Sequence, residues 1–377
     1  MLNLYLDIGP LQEKEYTGIS QVTVKIAEAM LADTSIKPHF MYSNHVIPSD
    51  IVASLVKHRN GAFFRYHFER NDFSFDSLQY GEFKDGEFAA ALFPNTKTCR
   101  GFFPIEAQII HDLSTLLTPE YHTQDTIRHH AYSLVKDLKS NDITFCVSEA
   151  TRSDLTNYFK LPLDITKVCY LGGSEDSGVS VSHIEMERPY IVVLGTLEPR
   201  KNLRLLFKML KKHPEILNVY DIAVIGRVGW GESVVETLSE YGLEKAYSQG
   251  CLKFLGFLPE IEKNHLIKNA ELMLYPSKFE GFGLPVLEAL SFGVPVVTSI
   301  SSSLPEVGGP VAYYCDPDDE DSLWMALLSA SSDLAADRQK VREKCLEQAE
   351  KFSWSSCYSV IKNGIELAYQ NKFGKSK

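Results

Sequence analysis

Long apolar runs are missing from this sequence: nowhere in its 377 residues is there a stretch of the roughly 18 apolar residues that a membrane-spanning helix requires. Its opening, Met1-Leu2-Asn3-Leu4-Tyr5-Leu6-Asp7, has neither a basic start nor an extended apolar segment. It therefore reads as a first strand rather than a secretion signal, and a cytoplasmic protein is expected. Paired cysteines are missing too. The seven present (Cys99, Cys146, Cys169, Cys251, Cys315, Cys345 and Cys357) are odd in number and scattered, with no C-x-x-C and no histidine cluster at ligand spacing. They are expected to be reduced core thiols, and no metal site is assigned. Positive charge is scarce: 38 Lys+Arg stand against 49 Asp+Glu, a net charge of −11, which argues against nucleic acid as a partner. No short tandem repeat is visible, which sets aside solenoids and propellers. The turn after the first strand, Gly9-Pro10-Leu11, is not the G-x-G-x-x-G of a dinucleotide-binding dehydrogenase.

What is present is an ordinary globular composition, 44% hydrophobic and 23% charged, in a chain long enough for two cores. Short β-rich apolar runs alternate with amphipathic stretches, the pattern of βαβ units and parallel sheets. Strands are expected near 2–8, 39–42, 90–93, 108–111, 144–147 and 167–170, with helices over 20–31, 123–138 and 149–159. The small, polar, aperiodic run from Gly172 to Pro189 then interrupts the pattern. Alternation resumes with strands near 190–194, 222–225, 252–255, 272–275, 295–298 and 312–315. These boundaries give an N-terminal Rossmann-like domain at 1–173, a linker at 174–189, a C-terminal Rossmann-like domain at 190–355, and a last helix at 356–377 able to pack on either half.

The most informative run is Tyr275-Pro276-Ser277-Lys278-Phe279-Glu280-Gly281-Phe282-Gly283-Leu284-Pro285-Val286-Leu287-Glu288. It follows a strand and opens a helix, with Pro285 suited to the first helical position and Gly293 to the residue after its end. No Ser, Thr, Asp or Asn caps that start, so its amides suit a diphosphate or sugar hydroxyls. Glu280 and Glu288 bracket the turn, and carboxylates are good acceptors for vicinal sugar hydroxyls. A second run, Gly195-Thr196-Leu197-Glu198-Pro199-Arg200-Lys201-Asn202, ends a strand and places two cations at a carboxyl edge. Ligands of open α/β sheets bind at such edges, and cations there stabilise a departing diphosphate. Asn202 is the expected cap of the next helix. His111 and Asp112 end another buried-looking strand. Gly18, in Glu15-Tyr16-Thr17-Gly18-Ile19-Ser20, permits close backbone approach in a turn. The aromatic stretch Phe63, Phe64, Tyr66, Phe68, Phe73 and Phe75, interleaved with Arg65 and Arg70, fits strand and core packing better than a lipid-facing surface, though both readings stand.

On these motifs the sequence resembles glycosyltransferase family 4, retaining nucleotide-sugar enzymes of the GT-B fold, most strongly from Tyr190 to Pro317. The resemblance implies an α/β protein with two Rossmann-like parallel-sheet domains facing across a cleft. It also implies a catalytic set of His111, Arg200, Lys201 and Glu280, with Glu280 on the transferred sugar and Lys201 on the diphosphate. The donor set is Gly18, Thr196, Arg227, Leu258, Phe282, Gly283, Leu284 and Glu288, with Glu288 on the ribose and Leu258 near the base. Many members carry arginine where Thr196 stands, so Arg200 or Arg227 is expected to supply that charge. The branch most similar contains bacterial surface-polysaccharide mannosyltransferases, which implies mannose transfer from GDP-mannose with retention to a glycan or lipid-linked acceptor. No cofactor or metal is implied, and a peripheral membrane contact would fall on the N-terminal domain. The competing readings are an epimerase or phosphorylase on the same fold, and a silent nucleotide-sugar-binding scaffold. The scaffold should lack some of His111, Lys201, Glu280 and Glu288.

Overall fold

The structure, a computed structural model, describes residues 1–59, 61–70, 75–84, 87–174, 184–195, 198–227 and 234–374. The chain divides into two compact units, one of Met1–Leu171 with Ser353–Lys377 and one of Gly172–Phe352. No helix among the described residues is long and apolar enough to cross a membrane.

In the first unit β1 (Leu2–Asp7), β2 (Ile36–Tyr42), β3 (His45–Ile47), β4 (Ala89–Phe93), β5 (Ile105–Ile110), β6 (Ile143–Cys146) and β7 (Thr166–Val168) form a sheet of order β3-β2-β1-β4-β5-β6-β7. All pairings are parallel except β2 with β3, a short antiparallel edge that the sequence reading missed. β4, β5 and β6 are buried throughout, as strands covered on both faces must be. The aromatic stretch is a correction: residues Gly61–Glu69 form a helix, not a strand. Phe64 is buried and Phe68 packs edge-on against Tyr42 at 4.6 Å, whereas Phe63 and Tyr66 are more than half exposed. Phe73 lies outside the described residues. The final helix, Trp354–Phe373, packs on this unit: Lys362 and Tyr358 bond Asp33, and Lys372 bonds Asp142. A Cβ at Gly364 would stand 2.8 Å from the Phe145 ring, so only glycine lets that helix approach β6.

The connection from β4 to β5 contains no helix. Buried charge holds it instead. Lys97 pairs with Glu106 at 2.6 Å, and Asp137 accepts from the Lys97 backbone, Gln108 and Arg100. Such groups tolerate burial only because each is paired and hydrogen-bonded.

The second unit contains β8 (Tyr190–Leu194), β9 (Asp221–Ile225), β10 (Leu252–Gly256), β11 (Leu272–Tyr275), β12 (Val296–Ser299) and β13 (Tyr313–Cys315) in the order β10-β9-β8-β11-β12-β13, all parallel. Its core joins β8, β9 and β11 to Leu205, Leu206 and Leu210 of the helix Leu203–Lys212 and to Leu323 and Leu327 of the helix Glu320–Ala349. The strand order reverses between β1 and β4 in one sheet and between β8 and β11 in the other. Those reversals are where open α/β sheets bind ligands.

Candidate active site

Beyond the carboxyl ends of β8 and β11 the second unit gathers Arg200, Lys201 and Glu280. The turn Pro199–Lys201 carries the cations, and the loop after Tyr275 carries the carboxylate. Backbone and hydroxyl bonds fasten the two segments: Lys278 N and Ser277 Oγ both donate to the Arg200 carbonyl, at 2.9 and 3.0 Å. Asn202 completes the fastening in an unforeseen way. It occupies the cap position with φ 60°, but its amide makes no cap bond and instead donates to the carbonyls of Pro276 and Pro317 at 3.0 and 2.7 Å.

Glu280 is 7% exposed. Its Oε1 accepts from Lys201 Nζ at 2.7 Å, Tyr275 OH at 2.8 Å and Ser277 Oγ at 2.5 Å, while Oε2 lies 3.2 Å from Arg200 Nη1. Ser302 and Ser303 donate to its backbone carbonyl. Burial alone would raise the carboxyl pKa, but Lys201 and Arg200 overcome it and hold the group at about 2. Burial pushes the Lys201 ammonium below its ordinary value, with Glu280 opposing and Arg200 assisting. Arg200 also bonds the Phe279 carbonyl at 2.7 Å and Glu198 at 2.8 Å.

The helix Leu284–Ser291 follows, its start one residue earlier than expected, so that Pro285 occupies the second helical position. Gly283 sits at its cap with φ 102°, where a Cβ would meet Leu304 at 2.8 Å, so the turn requires glycine twice over. With no side-chain cap bond at this start, its amides and dipole favour an anion beside Lys201 and Arg200. Phe282 is buried against Phe352 at 5.8 Å, which makes it a packing anchor of the turn. Glu288 projects from the same helix and pairs with Lys263 at 2.7 Å. Lys263, from the helix Glu260–Lys268, carries no sequence signal of its own, and neither do Ser302 and Ser303.

Arg227 follows β9 and lies over the Phe257 ring at 5.2 Å, beside the half-buried Leu258 after β10. It is therefore grouped with Leu258, whereas Arg200 is the arginine at Glu280. Thr196 lies outside the described residues. His111 and Gly18 belong to the first unit. His111 Nε2 donates to the Pro94 carbonyl at 2.7 Å, and burial lowers its pKa, so the ring is neutral with Nδ1 as acceptor. Gly18 is not a turn residue: it opens the helix Gly18–Ala32 behind a Thr17–Ser20 capping box.

Residues 179–352 match the family model described as glycosyl transferases group 1. The O-antigen chain mannosyltransferase B of Escherichia coli is 34% identical over 267 residues, covering 68% of this chain and 69% of that protein. The chain belongs to the group 1 glycosyl transferases. The serotype-specific mannosyltransferase WbdA of Escherichia coli is 27% identical over 70% of this chain but only 33% of its own length, so this glycosyltransferase spans about a third of it. Among solved structures, a glycosyltransferase from Rickettsia africae superposes with a TM-score of 0.66 at 13% identity, covering 100% of both chains. WaaG, a glycosyltransferase of lipopolysaccharide biosynthesis, gives 0.60 at 13% identity over 98% of this chain and 100% of its own. At such identities these matches speak to the fold, which is that of the GT-B glycosyltransferases expected from the motifs.

Proposed function

We propose that this glycosyltransferase moves mannose from GDP-mannose, with retention of configuration, onto a glycan or lipid-linked acceptor in bacterial surface-polysaccharide synthesis. The observation that carries the reading is the Arg200–Lys201–Glu280 cluster beside an uncapped helix start at the β8/β11 reversal. Two cations and a helix dipole suit a leaving diphosphate, whose charge grows as the glycosidic bond breaks. The carboxylate suits sugar hydroxyls. Glu288 takes the ribose, and Arg227 with Leu258 takes the base. The leaving diphosphate assists deprotonation of the incoming hydroxyl on the same face, and His111, as a neutral acceptor, bonds the sugar. The choice of mannose follows the named activities of the mannosyltransferase relatives. A lipid-linked acceptor at the inner face of the membrane is in keeping with the exposed Phe63 and Tyr66 rings, the latter under Arg70 at 5.3 Å.

The test is a thermal-shift and calorimetric panel of nucleotide sugars with and without EDTA, on the wild type and on Glu288→Ala. A ligand present at a hundred times its Kd stabilises the unit that binds it by about 2.7 kcal/mol. GDP-mannose is expected to raise the melting temperature in the presence of EDTA, and Glu288→Ala to weaken its binding about tenfold, the loss of one charged hydrogen bond. A folded protein that binds no nucleotide sugar would sink the reading, and one that binds GDP-mannose but never releases GDP from it, with or without acceptors, would favour the silent scaffold.

A further inference from the structure

The strand end that supports Glu280 carries a hydroxyl to which no role has been assigned. Tyr275 is the last residue of β11, 2% exposed, and its OH lies 2.6 Å from Lys201 Nζ and 2.8 Å from Glu280 Oε1. An ammonium only donates and a carboxylate only accepts, so the phenol accepts from Lys201 and donates its own proton to Glu280. Burial, with Glu280 adding to it, pushes the phenol well above its ordinary pKa, so that proton stays in place. Lys201 Nζ also lies 5.1 Å from the centre of the Tyr275 ring. Parallel pairing of β11 with β8, Leu274 opposite Val193, sets this residue beside the segment that carries Lys201.

We propose that Tyr275 is a positioning residue of the transfer reaction. Its hydroxyl fixes the Lys201 ammonium and the Glu280 carboxylate relative to each other, so that the cation meets the diphosphate and the carboxylate meets the sugar at one spacing. This inference rests on the donor-site reading above. A flexible lysine stem on its own samples many rotamers, and holding it with two acceptors instead of one removes that freedom before the transition state forms. The effect belongs to the chemical step more than to donor affinity, because backbone groups, Glu288 and the helix start are unchanged by losing one oxygen.

The experiment compares Tyr275→Phe with Tyr190→Phe in the full chain. Tyr190 is another buried tyrosine of the same sheet, whose hydroxyl donates to the Leu266 carbonyl at 2.6 Å away from the cluster. Release of GDP from GDP-mannose, with water in place of the acceptor, gives kcat and KM. Acetylation of Lys201 by acetic anhydride, followed by mass spectrometry, reads the lysine without any donor. Tyr275→Phe is expected to lower kcat by about tenfold or more while KM stays within about twofold, and to change the Lys201 acetylation rate severalfold. Tyr190→Phe should lose comparable stability and leave both readouts at wild-type values. Wild-type kcat and unchanged acetylation in Tyr275→Phe would overturn the proposal, as would an equal kcat loss in Tyr190→Phe. If the wild type turns over neither GDP-mannose nor a UDP-sugar, the functional reading fails and the acetylation rates alone decide the role of Tyr275.

Discussion

Each sheet places one buried carboxylate at its strand-order reversal, and the two are governed in opposite ways. Asp7 ends β1, 2% exposed, and among the described residues accepts from Gly9 N and Thr98 Oγ1, at 2.8 and 2.9 Å. Burial, opposed only by these neutral donors, pushes it up to about 6. The titratable groups it affects, Tyr42 and Cys99, are themselves raised by burial and stay uncharged. Glu280 is nearly as buried, yet two cations hold it at about 2. Similar desolvation thus gives opposite outcomes because Lys201 and Arg200 contact Glu280 directly, whereas Lys97 in the first unit is spent on Glu106 and Asp7 meets neutral donors. On the proposed function, the second unit is the one that meets the anionic diphosphate. The first offers the Thr98 hydroxyl, the neutral His111 imidazole and a carboxyl whose pKa is raised, which on the proposed function suits an uncharged acceptor hydroxyl.

The most forceful way to break this contrast is to remove a cation. Lys201→Ala leaves Glu280 with Arg200 and the Tyr275 and Ser277 hydroxyls, so the stability cost should stay below the about 3–5 kcal/mol of a buried charge left with no partner. Turnover should fall further than stability suggests, by about 10²–10³-fold, since on the proposed function the same cation faces the leaving group. GDP release from GDP-mannose and a melting curve check both. A variant that unfolds readily but keeps wild-type turnover would show the cluster to be structural.

The opposite carboxylate gives a smaller and differently signed effect. Because the Asp7 pKa is raised on folding, from an ordinary 3.8 to about 6, the protonated form is the one favoured by the folded state. Its contribution to stability is full below pH 3.8 and is lost as pH rises through about 6, after which it is constant. The loss is at most about 3 kcal/mol, from a shift of roughly two units at 1.36 kcal/mol each. Asp7→Asn should remove that slope, which denaturant titrations between pH 4 and 7 would read. Glu280 has the reverse sign: its stabilisation is present above pH 4.5 and disappears as pH falls toward about 2.

The site was legible in the sequence where the backbone itself makes it. Gly283 and Leu284 follow from a glycine turn into a proline-started helix, and Lys201 from a cation at a strand end. What was not legible came from elsewhere in the chain. Lys263 reaches Glu288 from a different helix, Ser302 and Ser303 bond a carbonyl about twenty residues away in sequence, and Asn202 spends its side chain on two remote carbonyls instead of capping. None of these has a local pattern to announce it. Tyr275 and Ser277 stood inside the quoted motif, but a strand-end tyrosine reads as core until the partners of its hydroxyl are known. In the fold, the helix Gly61–Glu69 was hidden because its apolar content is aromatic, a composition that favours strands. The edge strand β3 was hidden by its length of three residues.

Thr98→Val is the finest probe of the contrast. Its hydroxyl is one of only two groups that hold the Asp7 pKa down, and valine keeps the shape while withdrawing the donor. The expected cost is about 1 kcal/mol near neutral pH, one neutral hydrogen bond's worth, and little below pH 4, where the carboxyl is protonated in both states. The Asp7 titration midpoint should move upward by about half a unit to one unit, followed by carboxyl ¹³C chemical shifts. An unmoved midpoint would mean that the Thr98 hydroxyl does not stabilise the ionised carboxylate, and that Asp7 is not held by its neutral donors.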